Sequence, residues 1–131
     1  MLLRETLGQY QTTFVTTDAA VARLHGIEGA RTLPDCNKDR PLRSLWCAVV
    51  ALWLVVKSRP DVILSTGAAP GFFCIFFGRL IGARTLWIDS VANAERLSLS
   101  GRMASKIAHE CLTQWEHLAN EPAPKYRGAV L

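Results

Sequence analysis

The sequence is poor in the residue patterns that hold metal ions or form reactive thiol sites. Its 131 residues include four cysteines and three histidines. No two cysteines stand at CxxC spacing, and no histidine pairs with a cysteine at the spacing of a zinc site. Three of the four cysteines lie in apolar stretches, where a free thiol behaves as a small hydrophobic side chain. We therefore expect no metal, no cofactor and no structural disulfide, and a reducing compartment.

The common nucleotide-binding motifs are missing as well. The sequence contains neither GxGxxG nor GxxxxGK[ST], which disfavours a dinucleotide-dependent oxidoreductase. The net charge is only +4, from 15 lysines and arginines against 11 aspartates and glutamates, and these charges are spread along both halves. This is not the pattern of a nucleic-acid-binding protein. The N-terminus is not followed by an apolar signal region, so we do not expect secretion.

The remaining composition predicts one folded domain in which strands and helices alternate. Half of the residues are apolar and 20% are charged, which is typical of a packed core, and the length suits a single domain over residues 1–131. We predict strands over residues 12–17, 61–65, 85–89, 110–115 and 128–131. We predict helices over residues 19–24, 42–57, 71–81 and 98–108, with a loop over residues 26–41.

This alternation favours an α/β fold: a parallel sheet with right-handed crossovers and helices on both faces. Residues 1–9 resemble the end of a helix that no strand precedes. A doubly wound sheet normally opens with its first strand and the turn after it. We therefore expect this first strand to be missing.

A turn of small residues joins the 61–65 strand to the helix after it. It consists of Ser65, Thr66, Gly67, Ala68, Ala69, Pro70 and Gly71. Ligands of open α/β sheets bind at the carboxyl ends of the strands. Backbone N–H groups and the helix dipole at such a turn favour an anion such as phosphate. The alternative is a tight turn that only lets the helix pack closely on its strand.

A second polar loop follows the 85–89 strand. Its candidate binding residues are Asp89, Ser90, Arg96, Ser98, Ser100 and Arg102. Such a loop can hold a sugar or a diphosphate, with an arginine contacting two oxygens at once. The alternative is a capped surface loop with solvated charges. His109 and His117 have no evident partner in the sequence, and we expect them to be structural.

Two predicted helices are apolar on all sides. Residues 45–56 would span roughly 18 Å as a helix, short of the roughly 30 Å hydrocarbon core, so we do not expect a transmembrane span. The helix is either buried in the core or lies in a membrane surface. One small sheet cannot cover both apolar helices, so we expect contact with lipid or a partner chain. The candidate contact residues are Trp46, Trp53, Phe72, Phe73 and Phe76.

Three motifs together resemble one family. RPDVILSTGAAP at 59–70 is similar to the middle motif of a polysaccharide-biosynthesis family of membrane-anchor glycosyltransferase subunits. IDS at 88–90 with RLSLSGR at 96–102, and TQWE at 113–116, resemble the later motifs of that family. The resemblance extends over residues 2–131, and the family includes bacterial capsule and exopolysaccharide counterparts.

The resemblance implies a Rossmann-like domain that forms the N-terminal half of a split GT-B glycosyltransferase. A separate subunit would supply the C-terminal half and bind most of the UDP-sugar. The chain would recruit that subunit to the cytoplasmic face of the membrane, as a peripheral or monotopic protein, and face a polyprenyl-linked acceptor. Members of the family open with a strand and a Gly-Gly-His turn that this sequence lacks, so we name no catalytic residue. Two alternatives stay open: a non-enzymatic membrane-associated scaffold and, less favoured, a small Rossmann-type oxidoreductase.

Overall fold

Strands and helices alternate along the chain in a computed structural model that describes residues 3–36 and 39–131. The helices are α1 (Arg4–Leu7), α2 (Ala19–Leu24), α3 (Pro41–Ser58), α4 (Ala68–Leu80) and α5 (Leu99–Ile107), with a short 3-10 helix at Glu116–Leu118. The strands are β1 (Val15–Thr16), β2 (Arg31–Thr32), β3 (Val62–Ser65), β4 (Arg84–Ile88), β5 (Glu110–Thr113) and β6 (Lys125–Tyr126).

All strand pairs are parallel. Strands β3, β4, β5 and β6 form one sheet in that order, and β1 pairs with β2 in a second, two-stranded sheet. The register places Ser65 beside Trp87 and Trp87 beside Cys111. The prediction of an α/β fold with parallel strands is therefore confirmed.

Strand β1 occupies only two of the six residues predicted for it, 12–17, and two further strands differ in position. Strand β2 lies in a segment predicted as loop, and the last strand is Lys125–Tyr126 instead of residues 128–131. Each of these strands is only two residues long, too short to show an alternating hydrophobic pattern. Pairing with a neighbouring strand therefore determines where each one lies. The backbone N–H of Val130 donates to Gln114 Oε1 at 2.9 Å instead of joining a strand ladder.

The ends of the helices agree better with the sequence-based prediction than these strands do. Asp18 caps α2 and Ser98 caps α5, each through its side-chain oxygen. Gly82 follows the end of α4 with φ of 89°, a conformation that suits glycine after a helix. Helix α4 begins at Ala68, three residues earlier than predicted. Pro70 is tolerated there because first-turn N–H groups have no partner within the helix.

The main core lies between the four-stranded sheet and two helices on one of its faces. Ile75 of α4 and Ala104 of α5 pack against Trp87 and Cys111 of the sheet, and all four are buried. Helices were predicted on both faces of the sheet, and the core contacts place α4 and α5 on this one. On the other face, Leu64, Leu86 and Leu112 are half-buried.

A second cluster attaches α3 to α4. Ala51 and Leu54 of α3 are buried with Leu33, which follows β2, and Phe73 and Phe77 of α4 pack against them. Helix α3 thus presents one side to the rest of the chain.

His109 links α4, β4 and the start of β5. The ring Nδ1 of His109 accepts a hydrogen bond from the backbone N–H of Thr85 at 3.1 Å, and the backbone N–H of His109 donates to Thr85 Oγ1 at 3.1 Å. The Arg79 guanidinium lies against the other ring nitrogen. Desolvation, with Arg79 and Arg84 nearby, lowers the pKa of His109. The structural role expected for this histidine agrees with these contacts, although the sequence showed no partner.

Candidate functional site

The two predicted binding segments meet at one edge of the sheet. Strands β3 and β4 are parallel neighbours, so their carboxyl ends lie side by side. The turn that begins at Ser65 and the loop that begins at Asp89 therefore emerge next to each other. This is the edge at which open α/β sheets bind ligands.

The turn after β3 has an unusual backbone. Gly67 has φ of 125° and ψ of −171°, a combination almost restricted to glycine. Ala68 follows with φ of 65°, in the left-handed region. Within the described part of the chain no side chain caps α4 or α3, whereas Asp18 caps α2 and Ser98 caps α5. The first N–H groups of α4 therefore receive no side-chain acceptor.

The turn also brings α4 very close to β3. A Cβ atom on Gly71 would collide with Ser65 Oγ, so only glycine fits there without a shift. Ser65 is buried, and its Oγ accepts from the N–H of Gly67 at 3.4 Å. The close-packing interpretation of this turn thus holds for Gly71. Thr66 is exposed and lies on the solvent side.

Asp89 organises the loop after β4 from inside. Its side chain is 1% exposed and accepts four hydrogen bonds from protein groups. They come from Trp87 Nε1 at 3.2 Å, Asn93 Nδ2 at 3.1 Å, Ser98 Oγ at 2.8 Å and Ser98 N–H at 3.2 Å. Ser98 Oγ also accepts from the N–H of Gly101 at 2.8 Å. Asp89 and Ser98 are also candidate substrate-binding residues, and in the structure their hydrogen bonds hold the loop together.

The segment after β5 holds the same loop from outside. Trp115 Nε1 donates to the carbonyl of Val91 at 2.9 Å, and His117 Nε2 lies 2.6 Å from the carbonyl of Ala94. The sequence did not reveal this clamp. The one signal in the sequence was the indole of Trp115, the last residue of the strand predicted over 110–115 and part of the TQWE motif.

The two candidate arginines, Arg96 on the loop and Arg102 on α5, face solvent. Arg96 and Arg102 are both exposed, and neither forms an ion pair in the described ranges. Ser100 is half-buried, as is Ser90, whose Oγ accepts from the N–H of Ala92 at 3.3 Å. The candidate site therefore offers backbone donors at α4, the guanidinium of Arg96 from a loop fixed at both ends, and the guanidinium of Arg102 from α5.

The cysteines lie outside this site. Burial is the main cause that raises the pKa of Cys47 to about 12, of Cys74 to about 11 and of Cys111 to about 12. These thiols stay protonated at neutral pH. They fill space in the core, as their apolar neighbourhoods predict.

The predicted lipid or partner contacts divide into two groups. Trp46 and Trp53 of α3 are more than half exposed, and Phe76 of α4 is 39% exposed. Phe72 packs against the Trp87 cluster and Phe73 against the Leu33 cluster. The positions of these phenylalanines on α4 determine which of them is exposed, because neighbouring residues of a helix face different sides. We keep only the first three as contact candidates.

The fold is that of a GT-B glycosyltransferase domain. A crystal structure of MurG from Acinetobacter baumannii matches it with a TM-score of 0.73 at 11% identity. The match covers 98% of this chain and 40% of MurG. It shows the fold class, as predicted.

The family follows from sequence. A family model described as "Oligosaccharide biosynthesis protein Alg14 like" matches residues 4–130, so the chain belongs to this family. The UDP-N-acetylglucosamine transferase subunit ALG14 of Yarrowia lipolytica is 31% identical over 122 residues, which are 88% of this chain and 56% of that protein. The same subunit of Candida albicans is 34% identical over 70 residues, 49% of this chain and 32% of that protein. The chain thus spans about half the length of the Yarrowia relative and less of the Candida one.

Proposed function

We propose that the chain is the acceptor-side subunit of a two-chain glycosyltransferase. In this proposal it transfers N-acetylglucosamine from UDP to a polyprenyl-diphosphate-linked acceptor together with a C-terminal-half subunit, which binds most of the UDP-sugar. Two findings support it: the relatives are named as subunits of a UDP-N-acetylglucosamine transferase, and the chain corresponds to 40% of a GT-B enzyme.

The uncapped N-terminus of α4 beside the Asp89 loop is the observation that carries the proposal. The N–H groups of Ala68 and Ala69, in the first turn of α4, have no carbonyl partner within the helix and lie at the positive end of its dipole, where a diphosphate is favoured. Arg96 on the neighbouring loop and Arg102 on α5 add guanidinium donors. Thr66 and Ser100 supply hydroxyls at the same edge.

These groups would act by positioning and by electrostatic stabilisation. Donors that are already fixed stabilise the charge that develops on a leaving diphosphate without having to reorganise. Asp89 and Ser98 contribute by holding the loop, and Gly67 and Pro70 by shaping the turn. No covalent nucleophile is part of this scheme.

The subunit would work at the cytoplasmic face of a membrane. A polyprenyl-linked acceptor is confined to the membrane, and the UDP-sugar would reach it from the cytoplasm. The apolar side of α3, which faces away from the rest of the chain, supports a peripheral or monotopic attachment. That same surface favours a second candidate, a scaffold that anchors an enzyme without contributing to its site.

The test is transfer by the assembled enzyme. The full chain is co-expressed with the C-terminal-half subunit, and transfer from radiolabelled UDP-N-acetylglucosamine to a detergent-solubilised polyprenyl-diphosphate acceptor is measured. Arg96→Ala should lower the rate by about two orders of magnitude, because one charge-assisted contact in the transition state contributes roughly 2 to 3 kcal/mol. Gly67→Val should also lower it, by distorting the turn.

The matched control is Arg23→Ala, since Arg23 is an exposed arginine on α2. Its transfer rate should equal that of the unmodified chain, and all three variants should pull down the partner at normal yield. Full transfer by Arg96→Ala and Gly67→Val with intact assembly would overturn the site and favour the scaffold.

A further inference from the structure

Three of the four cysteines converge on one region of the fold, outside the candidate site. Cys47 lies on α3 and is fully buried, one helical turn before Ala51, which is also fully buried. Cys74 lies on α4 and packs against the apolar cluster that contains Leu33 and Ala51. Cys36 follows Leu33 by three residues, in the loop after β2. One apolar cluster thus brings together thiols from three separate segments of the chain.

Cys36 and Cys47 are in direct contact. Their side chains are hydrogen bonded, and after desolvation by burial this bond is the next cause that raises the pKa of Cys47 to about 12. A hydrogen bond that raises the pKa of a thiol favours its protonated form, so the Cys47 S–H donates to the sulfur of Cys36. Two sulfur atoms in hydrogen-bond contact are placed so that a disulfide can form with little backbone movement.

The two cysteines differ in their access to solvent. Cys47 is 0% exposed, whereas Cys36 is half-buried. Cys36 lines a cleft of about 230 Å³ together with Asp35, Arg40 and Arg43. The cleft admits a small oxidant, and its two arginines provide the electropositive, partly exposed surroundings in which oxidant-sensitive cysteines are found. Oxidation should therefore begin at Cys36 and continue to Cys47.

We propose that Cys36 and Cys47 form a reversible disulfide when the protein meets a hydroperoxide. In the first step the Cys36 sulfur attacks one peroxide oxygen. An S–O bond forms, the O–O bond breaks, and the other oxygen leaves with the Cys36 proton as an alcohol or as water. Cys36 is then a sulfenic acid, oxidised by two electrons, and the peroxide is reduced. In the second step the Cys47 sulfur attacks the Cys36 sulfur, the S–S bond forms, the S–O bond breaks, and hydroxide leaves with the Cys47 proton as water.

The surroundings favour this bond over other reactions of the thiols. Within residues 3–36 and 39–131, no three His, Cys, Asp or Glu side chains are placed to hold a metal ion. In a reducing compartment the bond is transient, because cellular thiols reduce it again once the oxidant is gone. While present, it joins the loop after β2 to α3 and restricts the unfolded chain between residues 36 and 47.

The test treats the full chain, purified in detergent under reducing conditions, with hydrogen peroxide. Trypsin cleaves after lysine and arginine, so a digest without reductant should contain peptide 32–38 joined to peptide 44–57. Mass spectrometry should find the joined pair two hydrogen atoms lighter than the separate peptides, and dithiothreitol should release them. The thermal unfolding midpoint of the oxidised chain should rise by about 5 to 10 °C, because the bond restricts the unfolded state.

Variants separate the roles of the two cysteines. Cys36→Ser should abolish the joined peptides. Cys47→Ala should leave Cys36 as a sulfenic acid that dimedone labels, whereas the unmodified chain should show little label because Cys47 consumes the sulfenic acid. The matched control is Cys111→Ala, since Cys111 is another buried cysteine but packs in the Trp87 cluster. This variant should form the bond at the normal yield.

Several results would overturn the proposal. They are a bond from either cysteine to Cys74, dimers joined through Cys36 in place of the internal bond, and the absence of any bond after treatment. A bond that forms with a lower unfolding midpoint would overturn it as well, because the two sulfurs would then meet only in a distorted fold. These cysteines lie outside the candidate site, so such a failure leaves the proposed transferase function standing.

Discussion

Asp89 accepts two hydrogen bonds from a single residue nine positions later, Ser98: one from the hydroxyl at 2.8 Å and one from the backbone N–H at 3.2 Å. The same serine caps α5. One buried carboxylate thus connects the end of β4 to the start of α5 and fixes both ends of the loop between them. Arg96, exposed on this loop, and Arg102, exposed on α5, are positioned by that connection.

Replacing Asp89 with asparagine should destabilise the fold. The amide substitutes a donor for one acceptor oxygen, which leaves at least one buried N–H or hydroxyl unpaired. We expect the free energy of unfolding to fall by about 2 to 3 kcal/mol, measured by urea denaturation. Asp61→Asn is the control, because the Asp61 side chain is exposed at the start of β3, and it should change stability by less than about 0.5 kcal/mol. Equal effects of the two variants would show that the buried carboxylate has no special role.

The sequence predicted those elements that have local causes. Pro60 and Gly82 bracket the β3–α4 unit, and Asp18 and Ser98 precede helices as short polar caps, so these boundaries could be read directly. The candidate site was predicted in part, because two polar segments each follow a strand. The role of Asp89 was not predictable, since its partners Trp87 and Ser98 meet it only after folding.

Other features could not be predicted from the sequence because they depend on tertiary neighbours. Strand β2 exists because Arg31 N–H donates to Phe14 and Leu33 N–H donates to Thr16, and the segment itself is polar. Phe73 is packed in the core whereas Phe76 is exposed, although both lie in the same apolar run. A helix that is apolar on all sides gives no sequence signal for which side will be covered.

Gly101 in the first turn of α5 should not tolerate alanine. A Cβ atom there would lie 2.5 Å from Asp89 Oδ1 and 2.9 Å from Ser98 Oγ. Alanine favours a helix over glycine by up to about 1 kcal/mol, so propensity alone predicts stabilisation. We expect the crowding to dominate and to lower the free energy of unfolding by about 1 to 3 kcal/mol. Lys106→Ala, on the exposed side of the same helix, should be nearly neutral, and a stabilised Gly101→Ala variant would refute the crowding argument.

Ala68→Gly should be neutral or stabilising, although it places glycine in the first turn of a helix. Ala68 has φ of 65°, a conformation that costs a residue with a Cβ roughly 1 to 2 kcal/mol and glycine very little. Ala69→Gly is the matched control, because the next residue has ordinary helical geometry and should lose about 0.5 to 1 kcal/mol. Thermal unfolding of the two variants side by side checks this. If both lose stability equally, Ala68 is not strained.

Folding stability should fall as the pH is lowered below about 6.5, the ordinary pKa of histidine. Desolvation first, then Arg79 and Arg84, lowers the pKa of His109 in the folded chain. Between the folded and unfolded pKa values the unfolded chain binds more protons, so acid favours unfolding there. The contribution is complete above about pH 6.5 and is lost as the pH drops toward the lowered value. Protonated His109 would face the Arg79 guanidinium and could no longer accept from the Thr85 N–H.

Urea unfolding across a pH series measures this effect. His109→Gln removes the titrating ring, so the stability of this variant should vary less between pH 7 and pH 5 than that of the unmodified chain. His117→Gln is the control, because it removes an exposed histidine at the other edge of the sheet and should leave the pH profile unchanged. A profile that flattens with His117→Gln and not with His109→Gln would mean that the cluster around Thr85 does not set the acid sensitivity of this fold.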